Sequence, residues 1–425
     1  MPAPHGDNMT EMDRRLKPRP EAIRPGPIPL PLHLTLAALV QLSSRTALPL
    51  LSSGSLPWNP DLTERARRLV RALDGVEPER FAAAVDAAAR QRFADFLTGL
   101  ERYRRHPYRR RLADPPVVWR EGGSRLLDYG APGAGGPALF VVPSLINRAY
   151  VLDLTERRSL LRHLAAAGFR PYLVDWGRPG ADEHGFGLTD YVAGRLERAF
   201  GAARAAAGGA PLAVLGYCMG GLLALALAQR RRAEIGRLAL LATPWDFHAE
   251  RPAFARAAAR AAAPLLPLWD RLGVMPVDAL QAMFTGLDPC LALNKFAAFG
   301  RLDPASDKSE EFVALEDWLN DGVPLAATVA RECLVGWYGE NLPGTGRWHI
   351  AGRPVLPQDI ALPTLVVLPQ NDRIVPPASA RALAAAIPGA ETLTPPAGHI
   401  GMVVGGTAPE TVWAPLAAWL GAACG

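Results

Sequence analysis

Three residues of this chain have the types and the order needed for nucleophilic chemistry: Cys218, then Asp372, then His399. Cys218 is the centre of the box Gly216-Tyr217-Cys218-Met219-Gly220. A thiolate there attacks a carbonyl carbon, His399 accepts or holds its proton, and Asp372 orients the ring and stabilises the imidazolium. Gly216 and Gly220 have a steric reason. A nucleophile on a strained strand-to-helix turn leaves room only for small residues two places either side. The apolar run 212–215 before the box and the run LLALALAQRR after it supply that strand and helix. The turn puts Cys218 at a helix N-terminus, where the dipole favours a thiolate, and makes the Met219 N–H a natural oxyanion donor.

Rivals to these residues are weaker. Asp175 also ends a strand-like segment but precedes the nucleophile. His163, His184 and His248 rank below His399. Of these, His248 follows a strand but lacks the glycine-flanked terminal loop Gly398-His399-Ile400-Gly401. Cys290, Cys333 and Cys424 read as packing or incidental thiols. Four cysteines without regular spacing suggest neither a disulfide framework nor a zinc site, so no metal is expected and a reduced, cytoplasmic compartment is the simplest reading.

The elements around the site alternate. Residues 117–119 and 125–129 look like a strand pair around Gly122-Gly123, and 139–142 is a short buried strand ending in Pro143-Ser144-Leu145-Ile146-Asn147. A helix is expected over 156–167, a strand over 170–175, a helix over 189–207, then the Cys218 strand and helix, and a strand over 238–241. After a long interruption, a strand at 362–368, a helix at 378–387, a strand at 391–394 and a helix at 410–420 follow. Such alternation specifies a mostly parallel sheet covered on both faces. With the nucleophile–acid–histidine order it specifies the α/β-hydrolase fold. The second oxyanion donor then comes from the loop after the third strand, so the N–H of Leu145 or Ile146 is the candidate.

The interruption, about 246–353, is helix-like and rich in Trp, Phe and Tyr. It reads as a cap that shapes a pocket and excludes water. Residues 1–113 read as a disordered leader, to about residue 24, plus a helical extension; 114–425 form the catalytic domain. The stretch 28–58 is apolar and lacks acidic residues, but Arg45 argues against a membrane span. A helix at 33–51 docked on the protein's own core is slightly favoured over one lying on a lipid or polymer surface. Helices are also expected over 61–73 and 78–103, and the charged run 102–111 reads as a solvated face. The 425 residues are 49% hydrophobic and carry a net charge of +5, with only three lysines, Lys17, Lys295 and Lys308. An Arg-rich, Lys-poor balance of this kind carries little nucleic-acid meaning.

VVPSLINRAYVLDL, PYLVDWGRPG, LGYCMGG, DWLNDGVP, NDRIVPP and GHIG, in this order, resemble the polyhydroxyalkanoate synthases, nearest to the shorter catalytic subunit of the class III type. The resemblance spans roughly 112–420. It implies an α/β-hydrolase core with a mobile cap, and the joining of 3-hydroxyacyl groups from coenzyme A thioesters into a polyester with release of coenzyme A. The family's nucleophile, aspartate and histidine match Cys218, Asp372 and His399. No cofactor is implied beyond the coenzyme A carried by the substrate. Expected partners are 3-hydroxyacyl-CoA, the growing polyester, a second copy or a second synthase subunit, and a polymer granule surface. The residue after the family aspartate is commonly His; here it is Arg373. Two other readings rank below synthesis: a thioesterase, esterase or intracellular depolymerase on the same scaffold, and a granule- or membrane-associated binding protein anchored by 28–58.

Overall fold

The computed structural model describes residues 23–58, 62–130 and 136–422. Nearly all of the leader read over 1–24, the helix start at Asp61, and Cys424 lie outside them.

Eight strands form one sheet: β1 (Val117–Glu121), β2 (Ser124–Asp128), β3 (Ala138–Val142), β4 (Arg170–Asp175), β5 (Leu212–Tyr217), β6 (Ile235–Leu241), β7 (Thr364–Val367) and β8 (Glu391–Leu393). Their order is β1-β2-β4-β3-β5-β6-β7-β8. β2 pairs antiparallel with both neighbours, and every pair from β4 to β8 is parallel. Side-chain alternation sends Phe140, Val142, Val214 and Leu240 into one core and Leu139, Val141, Leu215 and Leu241 into another, on the opposite face. Both faces are therefore buried, as a parallel sheet with helical crossovers requires. This is the α/β-hydrolase architecture.

Two local expectations are corrected. The helix read from 156 begins only at Leu160, because Asp153–Thr155 and Arg158–Ser159 first pair as a short ladder. Ser159 then caps the helix, its Oγ accepting the Arg162 N–H at 3.0 Å. Within the charged run, Arg110 is not merely solvated. It reaches the wholly buried carboxylate of Asp153 at 3.2 Å, which also takes Arg162 at 2.7 Å and the Tyr129 hydroxyl at 3.1 Å. A buried carboxylate needs such partners.

The chain divides into two units, 1–107 with 292–304, and 108–291 with 305–425. In the first, helices Leu30–Thr46 and Pro78–Arg105 pack together, joined by 292–304 from within the stretch read as cap. Phe296 stacks edge-on against Phe96 and Tyr103, with centroids 6.2 and 5.5 Å apart. Gly99 permits the close crossing: a Cβ there would lie 1.8 Å from the Phe296 carbonyl oxygen. Among the described residues, no helix is long and apolar enough to cross a membrane.

In the second unit, the insertion between β6 and β7 contains helices Pro252–Ala262, Leu266–Leu272, Val277–Thr285 and Asp307–Asn320, and the continuous helical run from Ala327 to Gly339. Its aromatics pack on one another: Trp337 meets Trp348 at 5.4 Å and Phe247 at 5.7 Å, centroid to centroid.

Candidate active site

Cys218 sits between β5 and the helix Met219–Arg230, with φ 56° and ψ −129°. Positive φ is strained for a non-glycine residue, and the neighbours hold it there. The Cys218 N–H donates to the Leu241 carbonyl at 2.9 Å, and its own carbonyl accepts the Gly221 N–H at 2.9 Å. Gly216 and Gly220 are small for the reason read from the sequence. A Cβ at Gly216 would come within 2.5 Å of Gly221 Cα, and one at Gly220 within 2.2 Å of the Val142 carbonyl. Gly221, not singled out in the sequence, is as constrained: its Cβ would lie 1.8 Å from Thr243 Oγ1.

Asp372 and His399 come from the loops after β7 and β8 and meet each other. Asp372 Oδ1 accepts the N–H groups of Ile374 and Val375, each at 2.8 Å. Its Oδ2 lies 2.7 Å from His399 Nδ1. The Cys218 sulfur is near enough to act on the imidazole's charge. Burial disfavours the charged ring, but the Cys218 sulfur and the Asp372 carboxylate outweigh it, and His399 is pushed up to about 10. The site is thus arranged to keep the imidazole protonated next to the Cys218 sulfur. Both side chains are buried, Asp372 at 5% and His399 at 7% exposure.

Tyr217, which the sequence did not mark, steadies this loop. Its hydroxyl donates to the His399 carbonyl at 3.1 Å, and its ring lies 5.3 Å from the imidazole. Burial, with the nearby Cys218 and Asp372, pushes the Tyr217 hydroxyl well above its ordinary value, so it remains a donor.

Met219 is the first residue of the helix after Cys218, where an N–H has no partner within the helix. Of the two loop candidates, Ile146 has its N–H already engaged, donating to Ser144 Oγ at 2.9 Å; Leu145 is buried in the core beneath. The DWLNDGVP stretch, unassigned from sequence, buttresses this loop. Trp318 Nε1 donates to the Arg148 carbonyl at 2.7 Å, and Asp321 pairs with Arg148 at 3.5 Å. From the insertion, Gln281 donates to Asn147 Oδ1 at 3.0 Å.

The rivals are occupied elsewhere. Asp175 binds Arg125 and caps Gly177. His248 bonds the Tyr338 carbonyl, His163 stacks near Trp413, and His184 packs against Gly273. Burial pushes the Cys333 thiol well above its ordinary value. Among the described residues, no three His, Cys, Asp or Glu side chains gather as metal ligands.

Above Cys218 lies a cavity of about 100 Å³. Its walls come mostly from the insertion: Phe247, Phe254, Phe284, Trp337 and Tyr338, with Ile146 from the loop after β3. That volume holds only a few waters.

A family model described as alpha/beta hydrolase fold matches residues 137–405. The chain is 31% identical over 304 residues to the poly(3-hydroxyalkanoate) polymerase subunit PhaC of Allochromatium vinosum, covering 68% of this chain and 82% of that one. It is 30% identical over 292 residues to the subunit of that name from Synechocystis sp., covering 66% and 77%. A third, from Thiocystis violacea, is 28% identical over 321 residues, covering 72% and 87%. The chain belongs to the poly(3-hydroxyalkanoate) polymerase family of the α/β-hydrolase superfamily.

Proposed function

We propose that this protein is a polyhydroxyalkanoate synthase that transfers 3-hydroxyacyl groups from coenzyme A thioesters to a growing polyester through an acyl-Cys218 intermediate. The observation that carries it is His399, held by Asp372 at 2.7 Å and acted on by the Cys218 sulfur, with Cys218 lining an aromatic-walled cavity.

The residues divide the work as follows. The Cys218 thiolate attacks the thioester carbonyl, and the Met219 N–H, with the Leu145 N–H from the loop after β3, receives the oxyanion. Collapse breaks the C–S bond to coenzyme A, whose thiolate takes the His399 proton. The hydroxyl of the next acyl group then attacks the acyl-Cys218, giving its proton to His399. An ester bond forms and the Cys218 thiolate returns. Water must be kept out, or the acyl-enzyme hydrolyses; the aromatic walls supply that exclusion.

The test is product analysis with 3-hydroxybutyryl-coenzyme A beside a Cys218→Ala control. Synthesis predicts free thiol and insoluble polyester from the wild type and neither from the control. Soluble 3-hydroxybutyrate as the only acyl product would replace synthesis by hydrolysis.

A further inference from the structure

Arg373 occupies an unusual position. It follows Asp372 directly, lines the cavity over Cys218, and leaves its side chain 72% exposed. Its Nη1 donates to Asp288 Oδ2 at 2.6 Å. Asp288 lies just past the insertion helix Val277–Thr285, so one exposed ion pair ties the insertion to the loop that carries the proposed catalytic acid. The other charged residues lining the cavity are Asp246, Glu250 and Arg251. Asp246 is committed to the His248 N–H and the Asn341 amide, each at 2.8 Å.

A coenzyme A thioester brings two unlike ends to this site. Its carbonyl must reach Cys218 on the floor, between aromatic walls. Its phosphates do not follow between the aromatic walls, because a charge buried there against Phe254, Phe284 and Trp337 finds no partner. They stay at the rim. We propose that Arg373 is the residue that recognises those phosphates, exchanging the Asp288 carboxylate for phosphate oxygens when the substrate binds. A planar guanidinium suits phosphate as it suits carboxylate, and phosphate carries the greater charge. An ion pair this exposed is weak and readily exchanged. Asp288 is then a built-in competitor, and its release also unties the insertion from the Asp372 loop. This inference rests on the thioester reading given above.

The experiment measures equilibrium binding, by calorimetry on the full-length protein, of coenzyme A and of pantetheine, which has the thiol arm but no phosphate. Arg373→Ala is expected to weaken coenzyme A about tenfold and leave pantetheine unchanged, the size of one lost charge-assisted contact. Arg373→Lys recovers part of the loss, and Asp288→Asn tightens coenzyme A severalfold. Arg373 is exposed, and Asp288→Asn keeps the volume of a half-buried side chain, so the variants are expected to fold, which their melting curves check. Equal weakening of both ligands, or coenzyme A binding unchanged in both Arg373→Ala and Asp288→Asn, overturns the proposal. Because binding is read without turnover, a failure of polymer synthesis in the wild type sinks the parent reading separately.

Discussion

Asp372 spends its two oxygens differently: Oδ1 is fixed by the backbone of Ile374 and Val375, and Oδ2 is left for His399 Nδ1 at 2.7 Å. The carboxylate therefore cannot rotate without breaking two backbone bonds, and the ring it faces is held in one orientation. Asp372→Asn keeps the volume and removes the charge. Its turnover is expected to fall by roughly 10³- to 10⁴-fold, as when an orienting carboxylate is lost from comparable triads. Thiol release from the acyl thioester measures it, and retention of more than a tenth of the rate would remove Asp372 from the relay.

The ring that faces Cys218 should be indispensable to it. His399→Gln is expected to lower thiol release from the acyl thioester by roughly 10²- to 10⁴-fold, the usual share of a positioned proton-transfer group. A variant within a few fold of wild type would take His399 out of the relay.

The same pair has a stability consequence. His399 is raised in the folded protein, to about 10, above its ordinary 6.5. Its contribution is complete below 6.5 and is lost as pH rises through about 10. The urea midpoint should fall between pH 7 and 10 in the wild type. In Cys218→Ala, which lacks the largest raising influence, the fall should shrink. A wild-type midpoint that holds flat to pH 10 would contradict the ion pair.

Packing at the turn gives a prediction independent of chemistry. Gly221→Ala forces a methyl onto Thr243, and overpacking of a tight core costs about 1–3 kcal/mol. Gly236→Ala, where nothing stands within 4 Å of the added carbon, is the control and should leave the unfolding free energy within about 0.5 kcal/mol of wild type.

Tyr217→Phe should cost about 1–3 kcal/mol, because it strands the buried His399 carbonyl. It should also lower thiol release, since the loop that aims the imidazole loses its anchor. An unchanged melting curve would show that a different group takes over that carbonyl.

What the sequence made legible was local. A glycine-flanked cysteine between strand and helix, an aspartate after one strand and a histidine after the last are written in short windows, and the fold brings them together. What stayed hidden was pairing at a distance. Nothing near Ile146 says that its N–H turns to Ser144 Oγ, and nothing near Trp318 says that its indole holds the Arg148 carbonyl. Gly221 looked like one more glycine in an apolar helix until Thr243, at the end of the neighbouring strand, filled the space beside it. The aromatic spacing around Phe296 signals a helix face but not which helix receives it; Phe96 and Tyr103 do.

That last contact bears on how the chain is dissected. The helices Leu30–Thr46 and Pro78–Arg105 are not a detachable preface, because the polypeptide returns at 292–304 to finish the unit they begin. Truncation at residue 107 would leave Phe296 bare and give the remainder a sticky apolar helix. A fragment trimmed to the hydrolase core should therefore precipitate unless that returning helix is trimmed or made polar as well.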